Sequence, residues 1–346
     1  MHISKFMDFI PQNVAPKTAK RIAVYNSKDE KVGQFELQNL KFPKVGQKLY
    51  SFGAISDIHL QYNTALEDFQ RALLFLHNEE NTEFTCLCGD LTDNGEISDY
   101  EQYKSVVGNY PVYEILGNHD YYTLGNNAVE GIVEEYTGES LYYSFEKNDD
   151  VFIMVGIRDE YELFTDGELQ WLYETLEANR NKRCFVFQHI FPSTSTNPSC
   201  GNAYGIYNNL CWSHPTQTKV FENMMKHYKN VLFFHGHSHL EFALQSKDCQ
   251  YANYDESNGY RSIHIPSLSI LRSGDSSGND SRYDIASGSQ GYVVDVYRTG
   301  IHLKGRDFVG EKYLPIASYW IDTTLVEIEA NTFVDSTGTI STQSTI

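Results

Sequence analysis

From about residue 50 the chain alternates short apolar runs with amphipathic segments of helical period, and this alternation most restricts its fold. SFGAIS (51–56) reads as a strand. TALEDFQRALLFLHNEE follows as a helix, opened by Thr64 and Glu67 at capping-box spacing. FTCLC (84–88) is the next strand, and Ser98 with Glu101 opens the following helix in the same way. YPVYEIL (110–116) is a third strand, and NNAVEGIVEEYTG a third helix ended by Gly138. The pattern runs on through the strand-like LYYSFE and VFIMVGI, the helix DGELQWLYETLEANR, the strand RCFVFQ, the helix TQTKVFENMMKHYKN and the strand VLFFH. Such alternation predicts an α/β sandwich with largely parallel central strands. After His239 strands and turns take over, with a hairpin of YVVDVYR and IHLKGRDF joined at Thr299-Gly300.

Residues 46–318 form the main domain, preceded by an N-terminal extension, residues 1–45, expected to pack on the core, and followed by a Thr/Ser-rich tail, residues 319–346. Residues 192–214 make a long polar loop carrying Tyr204, Tyr207 and Trp212, and residues 272–290 are rich in Ser, Gly and Asp. There is no internal repeat. The formal net charge of -19 argues against a groove for long duplex nucleic acid, which needs clustered Lys and Arg. Small phosphorylated substrates stay open, because bound divalent cations supply local positive charge that a side-chain count misses. No run approaches the roughly 20 apolar residues that span a bilayer. The N-terminus shows no secretion signal, so cytoplasmic residence is expected. Cys86, Cys88 and Cys184 sit in apolar runs and read as buried small hydrophobes; Cys200 and Cys211 flank the polar loop and could pair only in an oxidising compartment.

Each polar motif stands where a strand runs out, which is where ligand sites gather in open α/β sheets. Asp57-Ile58-His59 ends the first strand, Gly89-Asp90 the second and Gly117-Asn118-His119-Asp120 the third. Gln188-His189 ends a later strand, and His235-Gly236-His237-Ser238-His239 the last of the series. Strand alternation predicts Asp57 and His59 on one face, and likewise His237 and His239. Imidazoles, carboxylates and an amide oxygen without thiolate suit Mn, Fe or Zn in an open site. Seven such groups are too many for one ion with a free position and suit two ions bridged by a carboxylate. Two ions about 3.5–4 Å apart can bridge a hydroxide and clamp a phosphoryl group.

The ordered series DIH, GDLTDNG, GNHD, QH and GHSH resembles the calcineurin-like metallophosphoesterases over roughly residues 50–240, and the turn-rich segment to about 310 fits that family's continuation. The resemblance implies a four-layer αββα sandwich of two mixed sheets flanked by helices. It implies that Asp57, His59, Asp90 and His239 bind one metal ion, and that Asn118, His189 and His237 bind a second, with Asp90 bridging. His119 would touch the phosphate or protonate the leaving oxygen, with Asp120 orienting its imidazole. Manganese is the favoured metal. The purple acid phosphatases of this superfamily carry a tyrosine ligand shortly after the GD pair, whereas Leu91, Thr92 and Asp93 stand there in this chain, so no tyrosinate–Fe(III) centre is expected.

The expected function is therefore hydrolysis of a phosphomonoester or phosphodiester, with a metal-bridging hydroxide as nucleophile. The alternatives are a metal-stabilised scaffold or assembly subunit of the same fold, with the tail as its attachment, and a nuclease for short single strands. Tyr204, Tyr207 and Trp212 are candidates to stack on a leaving group, and Arg272 to meet a phosphate. His235 reads as a packing or supporting residue, and His2, His77, His227 and His302 as surface or helix-face residues; His214 and His264 have no assigned place.

Overall fold

In the computed structural model of the chain, side chains with alternating inward and outward placement build two facing sheets. It describes residues 47–123, 131, 134–138, 140–157, 164–191, 215–244, 253–256, 259–273 and 288–323, and short strands at 21–25, 31–36, 284–285, 332–334 and 340–342. Strands β1 (Arg21–Tyr25) and β2 (Lys31–Glu36) pair with each other.

In the first six-stranded sheet β3 (Lys48–Ile55), β4 (Phe84–Cys88) and β5 (Val112–Ile115) run parallel. The antiparallel meander β14 (Gln290–Tyr297), β15 (Gly300–Asp307) and β16 (Lys312–Asp322) extends the same sheet from the other edge of β3. The β14–β15 hairpin forms as its sequence predicts, but its turn falls one residue early, at Arg298-Thr299, since Val296 faces Ile301 and Gly300 already belongs to β15; β16 carries the sheet across residue 318. In the second six-stranded sheet β7 (Asp150–Val155), β8 (Cys184–Phe187), β9 (Val231–His235) and β11 (Arg261–His264) run parallel. Antiparallel β6 (Tyr142–Lys147) and β10 (Tyr254–Asp255) close its two edges. Both sheets are thus mixed. Among the described residues two further short pairs form besides β1 with β2: β12 (Arg272–Ser273) with β13 (Asp284–Ile285), and β17 (Thr332–Val334) with β18 (Ile340–Thr342).

Period-2 alternation sorts each strand into two cores. Phe52, Phe84, Phe152, Phe185 and Phe234 point between the sheets, and Phe52 meets Phe152 and Phe185 edge-on at 5.1 and 5.3 Å. Such aromatic pairs add about 0.5–1.5 kcal/mol each beyond area burial. Ile55, Leu87, Ile153, Val186 and Phe233 point the other way, toward helices α1 (Ala65–Leu74), α2 (Ile97–Val107), α3 (Asp166–Ala178) and α4 (Pro215–His227). Cys86, Cys88 and Cys184 are free and buried in these cores, as their apolar surroundings predict.

Two helix starts differ from the sequence reading. Thr64 donates its hydroxyl to Asp68 at 2.7 Å instead of capping α1, and α2 starts after Glu96, which leaves Ser98 inside its first turn. The capping box forms instead at Thr165 and Glu168 on α3. No helix among the described residues is long and apolar enough to cross a membrane. Tyr204, Tyr207, Trp212, Cys200, Cys211, His2 and His214 lie outside the described residues.

Candidate metal centre

The carboxyl ends of β3, β4, β5, β8 and β9 meet at one end of the sandwich, and each delivers one motif there. The mechanism is not strand alternation. β3 ends at Ile55 and β9 at His235, before the polar residues begin. Asp57, His59, Asp90, His237 and His239 take left-handed backbone with φ of 55, 50, 51, 69 and 61°. Such conformations cost about 1–3 kcal/mol each for residues with a Cβ and persist only when the surroundings impose them. Here the loops lock one another: Asp57 N–H donates to Gly89 O at 3.0 Å, His59 N–H to Asp90 O at 3.1 Å, and Gly236 N–H to His189 O at 3.0 Å. Glycine is required twice for close approach. A Cβ on Gly89 would enter the His189 ring, and one on Gly117 would strike the Asp90 carboxylate.

Seven sequence-predicted ligands converge, six of them in two clusters of facing atoms. Asp57, His59, Asp90 and His239 form one, and Asp90, His189 and His237 the other, with ligand atoms inside 4.8 Å of one another in each. Asp90 belongs to both. His239 Nε2 lies 3.0 Å from Asp57 Oδ1, and His59 Nε2 3.4 Å and His189 Nε2 3.1 Å from Asp90 Oδ2. All the carboxylates and imidazoles of the two clusters are buried or nearly so. Asn118 is 2% exposed, and its Nδ2 donates to Tyr122 Oη at 3.1 Å.

The outer nitrogens fix which ring atom faces inward. Nδ1 of His59 meets Asp93 Oδ1 at 3.1 Å, that of His189 meets Cys88 O at 2.6 Å, and that of His239 meets Ile270 O at 3.0 Å. These oxygens only accept, so Nδ1 carries a proton in each ring and Nε2 is left to face the centre. His59 Nε2 and His239 Nε2 then stand 3.1 Å apart, an arrangement that needs a proton or a cation beside it. Asp90 Oδ2, Asn118 Oδ1 and His189 Nε2 are buried without a hydrogen bond, the 3.1 Å approach of Asp90 and His189 being misaligned for one. Unsatisfied buried acceptors of this kind are costly, and converging donors of metal-ligand chemistry satisfy them with cations. The residues fit a metal pair.

Electrostatics agree. Burial pushes both central carboxyls up, but His239 and His189 outweigh it at Asp57, and His189 and His119 do so at Asp90, holding both below the usual carboxylate range. Burial alone would lower His189, yet Asp90 and Asp57 raise it to about 9. Burial lowers His237 to about 3, assisted by neighbouring His189.

One supporting role differs from the sequence reading. Asp120 does not orient His119. Its oxygens accept from Thr92 N–H and Oγ1–H at 2.9 Å, Gly117 N–H at 2.8 Å and Leu91 N–H at 3.2 Å, so it clamps the Asp90 and Asn118 loops together. Burial, then the charge of Asp90, raises its carboxyl to about 7 against the pull of those donors. The 3₁₀ turn His119–Tyr121 swings this side chain under the loops. Asp93 orients His119 instead: its carbonyl accepts from His119 Nδ1 at 2.8 Å while its carboxylate holds His59. Asp93 stands inside the GDLTDNG block, and that was the available signal. Arg272 is brought beside the centre through its main chain, whose N–H donates to His239 O at 2.9 Å. His235 packs on Phe191 and bonds Ser262 at 3.1 Å, and His264 bonds Ser238 at 2.5 Å, so both support the GHSH loop from below. His302 lies on β15 and bonds Ser318 at 2.9 Å, a sheet residue rather than a helix-face one.

The model of the family described as calcineurin-like phosphoesterase matches the chain over residues 50–241. A purple acid phosphatase from yellow lupin (Lupinus luteus) seeds is similar in structure at 15% identity and a TM-score of 0.55, over 81% of this chain and 55% of that one. The chain therefore spans little more than half the length of that phosphatase. GAP50, the anchor in the inner membrane complex of Plasmodium, is similar at 15% identity and a TM-score of 0.50, over 81% of this chain and 90% of that one. At these identities the likeness concerns the fold alone. No curated protein matches the chain.

Proposed function

Because the chain belongs to the calcineurin-like phosphoesterase family, we propose that it is a metal-dependent phosphoester hydrolase working on a small phosphorylated substrate with two metal ions. One observation carries the reading: Asp90 is common to both ligand clusters and its Oδ2 is buried without a hydrogen bond. Asp57, His59, Asp90 and His239 would hold one ion, and Asn118, His189 and His237 the other together with Asp90. Such a pair supplies Lewis acidity toward phosphoryl oxygens and lowers the pKa of the attacking water. Mn, Fe and Zn all accept this donor set, and Mn is the first to test.

The chain's own residues supply the rest. His119 is part-exposed, with 29% of its side chain open to solvent, while Nδ1 is tied to Asp93. Nε2 is thus the atom free to deliver a proton to the leaving oxygen. His119→Ala is expected to retain both metals and lose about 10²–10⁴ in kcat. Unchanged turnover of an aryl phosphate by that variant removes the assignment.

Protons compete with metal at His189. Its ring, raised to about 9, holds a proton at neutral pH on the atom an ion needs. Metal affinity is expected to rise with pH, about tenfold per unit while one proton is displaced, and to level off above pH 9. The metal-free chain behaves oppositely. Its charged His189 stabilises the fold fully below the ordinary value of 6.5, and that contribution is lost as pH rises through about 9. Calorimetric Mn titrations in buffers of different ionisation enthalpy count the protons released. A pH-independent affinity takes His189 out of the ligand set.

The reading as a whole is tested with p-nitrophenyl phosphate and its bis-ester in the presence of Mn. Turnover of the monoester, the diester or both is expected, and their ratio assigns the substrate class. A metal-loaded chain inert toward both, and toward short single strands, would be a scaffold of this fold instead.

A further inference from the structure

The rings about the centre form a row that leads outward. His239 and His59 have centroids 4.8 Å apart, His59 and His119 4.5 Å, and His119 and Tyr122 4.6 Å. His239 and His59 are buried, His119 is part-exposed and Tyr122 is 46% exposed, so Tyr122 is the ring at the mouth. Its N–H donates to His119 O at 3.3 Å across the 3₁₀ turn, which ties the placement of the two rings together. The group that would meet the leaving oxygen and a partly exposed aromatic ring are therefore adjacent.

The same side chain also reaches inward. Its hydroxyl accepts from Asn118 Nδ2 at 3.1 Å, and Asn118 Oδ1 is the amide end left buried without a hydrogen bond. An amide binds a cation through oxygen only, and its two ends are almost the same shape. With its oxygen turned to an ion, the amide still needs an acceptor for its nitrogen end, and the Tyr122 hydroxyl supplies one.

We propose that Tyr122 is a positioning and specificity residue of this centre: its hydroxyl holds the Asn118 nitrogen so that the oxygen stays toward the metal position, and its exposed ring stacks a planar leaving group beside His119. The proposal rests on the metal-centre reading given under the proposed function. It makes aromatic esters, aryl or nucleoside, the preferred class over small alkyl esters.

The test uses the full chain loaded with Mn and two anions that carry a non-hydrolysable phosphorus–carbon bond, phenylphosphonate and methylphosphonate. Calorimetry reads their binding with no turnover involved. The wild type is expected to bind phenylphosphonate about tenfold more tightly than methylphosphonate, Tyr122→Phe to keep that ratio, and Tyr122→Leu to lose most of it. In separate Mn titrations, Tyr122→Phe and Tyr122→Leu are both expected to bind the weaker ion about tenfold less tightly than the wild type. A ratio near one in the wild type, or a ratio that survives in Tyr122→Leu, overturns the stacking role. Wild-type Mn affinity in Tyr122→Phe overturns the positioning role. A wild type that shows the phenyl preference but hydrolyses no ester would sink the hydrolase reading and leave this one standing.

Discussion

Asp90→Asn is expected to leave the chain folded, to cost it at least one of the two metal ions proposed above, and to lower the proposed turnover about a thousandfold or more. The substitution is nearly isosteric, and the His119 N–H that now donates to Asp90 Oδ1 at 2.9 Å keeps an oxygen to meet. What changes is charge. Two divalent ions about 4 Å apart repel by something on the order of 16 kcal/mol at an effective dielectric of about 20, so an anion between them decides whether both bind. Asp90 is the carboxylate shared by both ligand clusters. A neutral amide can serve one ion and not hold a pair. Elemental analysis of metal per chain, together with kcat on the ester the wild type prefers, measures both effects. Two ions per chain with turnover within tenfold of the wild type would falsify the bridging role. His119→Ala is the control, since it should separate lost chemistry from lost metal.

A comparable effect on stability is expected at the opposite end of the sandwich. Arg183 and Asp150, 5% and 7% exposed, pair through two bonds of 3.0 and 2.5 Å at the amino ends of β8 and β7. Arg183 Nη1 also donates to Tyr297 O and Thr323 Oγ1, each at 2.8 Å, and Tyr50 Oη–H donates to Asp150 Oδ2 at 2.6 Å. The cluster thus pins the β14–β15 turn and the end of β16 in the first sheet to β7 and β8 in the second. Arg183→Met would leave the Asp150 charge buried and uncompensated, at a cost of about 3–5 kcal/mol. Removing both charges with Arg183→Met and Asp150→Leu should recover much of that loss, because a buried pair gains little over apolar packing of similar volume. Urea denaturation of the two single variants and the double variant gives the coupling. A single variant that loses less than about 1 kcal/mol would show that the pair does not clasp the sheets.

The amino-acid sequence determined the parts of this protein that depend on local pattern and residue chemistry. The strands FTCLC and VLFFH, the helix opening at Asp166 and the hairpin of β14 with β15 are set by periodicity, β-branched and aromatic content and turn residues, all read within a few positions. The donor set at the strand ends was legible for the same reason: Asp, His and Asn at Gly-flanked strand exits carry their chemistry wherever they are placed. Capping was less legible. Thr64 and Ser98 had the right spacing, yet the Thr64 hydroxyl donates to the Asp68 carboxylate and accepts no N–H of the first turn, and the second helix began elsewhere.

Tertiary structure alone decided how the donors face one another. Asp57 and His59 approach through left-handed backbone that the Gly89 and Asp90 carbonyls impose from the neighbouring strand, not through strand alternation. The role expected of Asp120 fell to Asp93 because a 3₁₀ turn, formed beneath the loops, sends the Asp120 carboxylate to backbone N–H groups and leaves Asp93 beside His59 and His119. The donor chemistry of a side chain is a property of one residue and is written in the sequence. Its tautomer, its charge and its partner are set by groups from other strands, brought within hydrogen-bond range only when the two sheets close on each other.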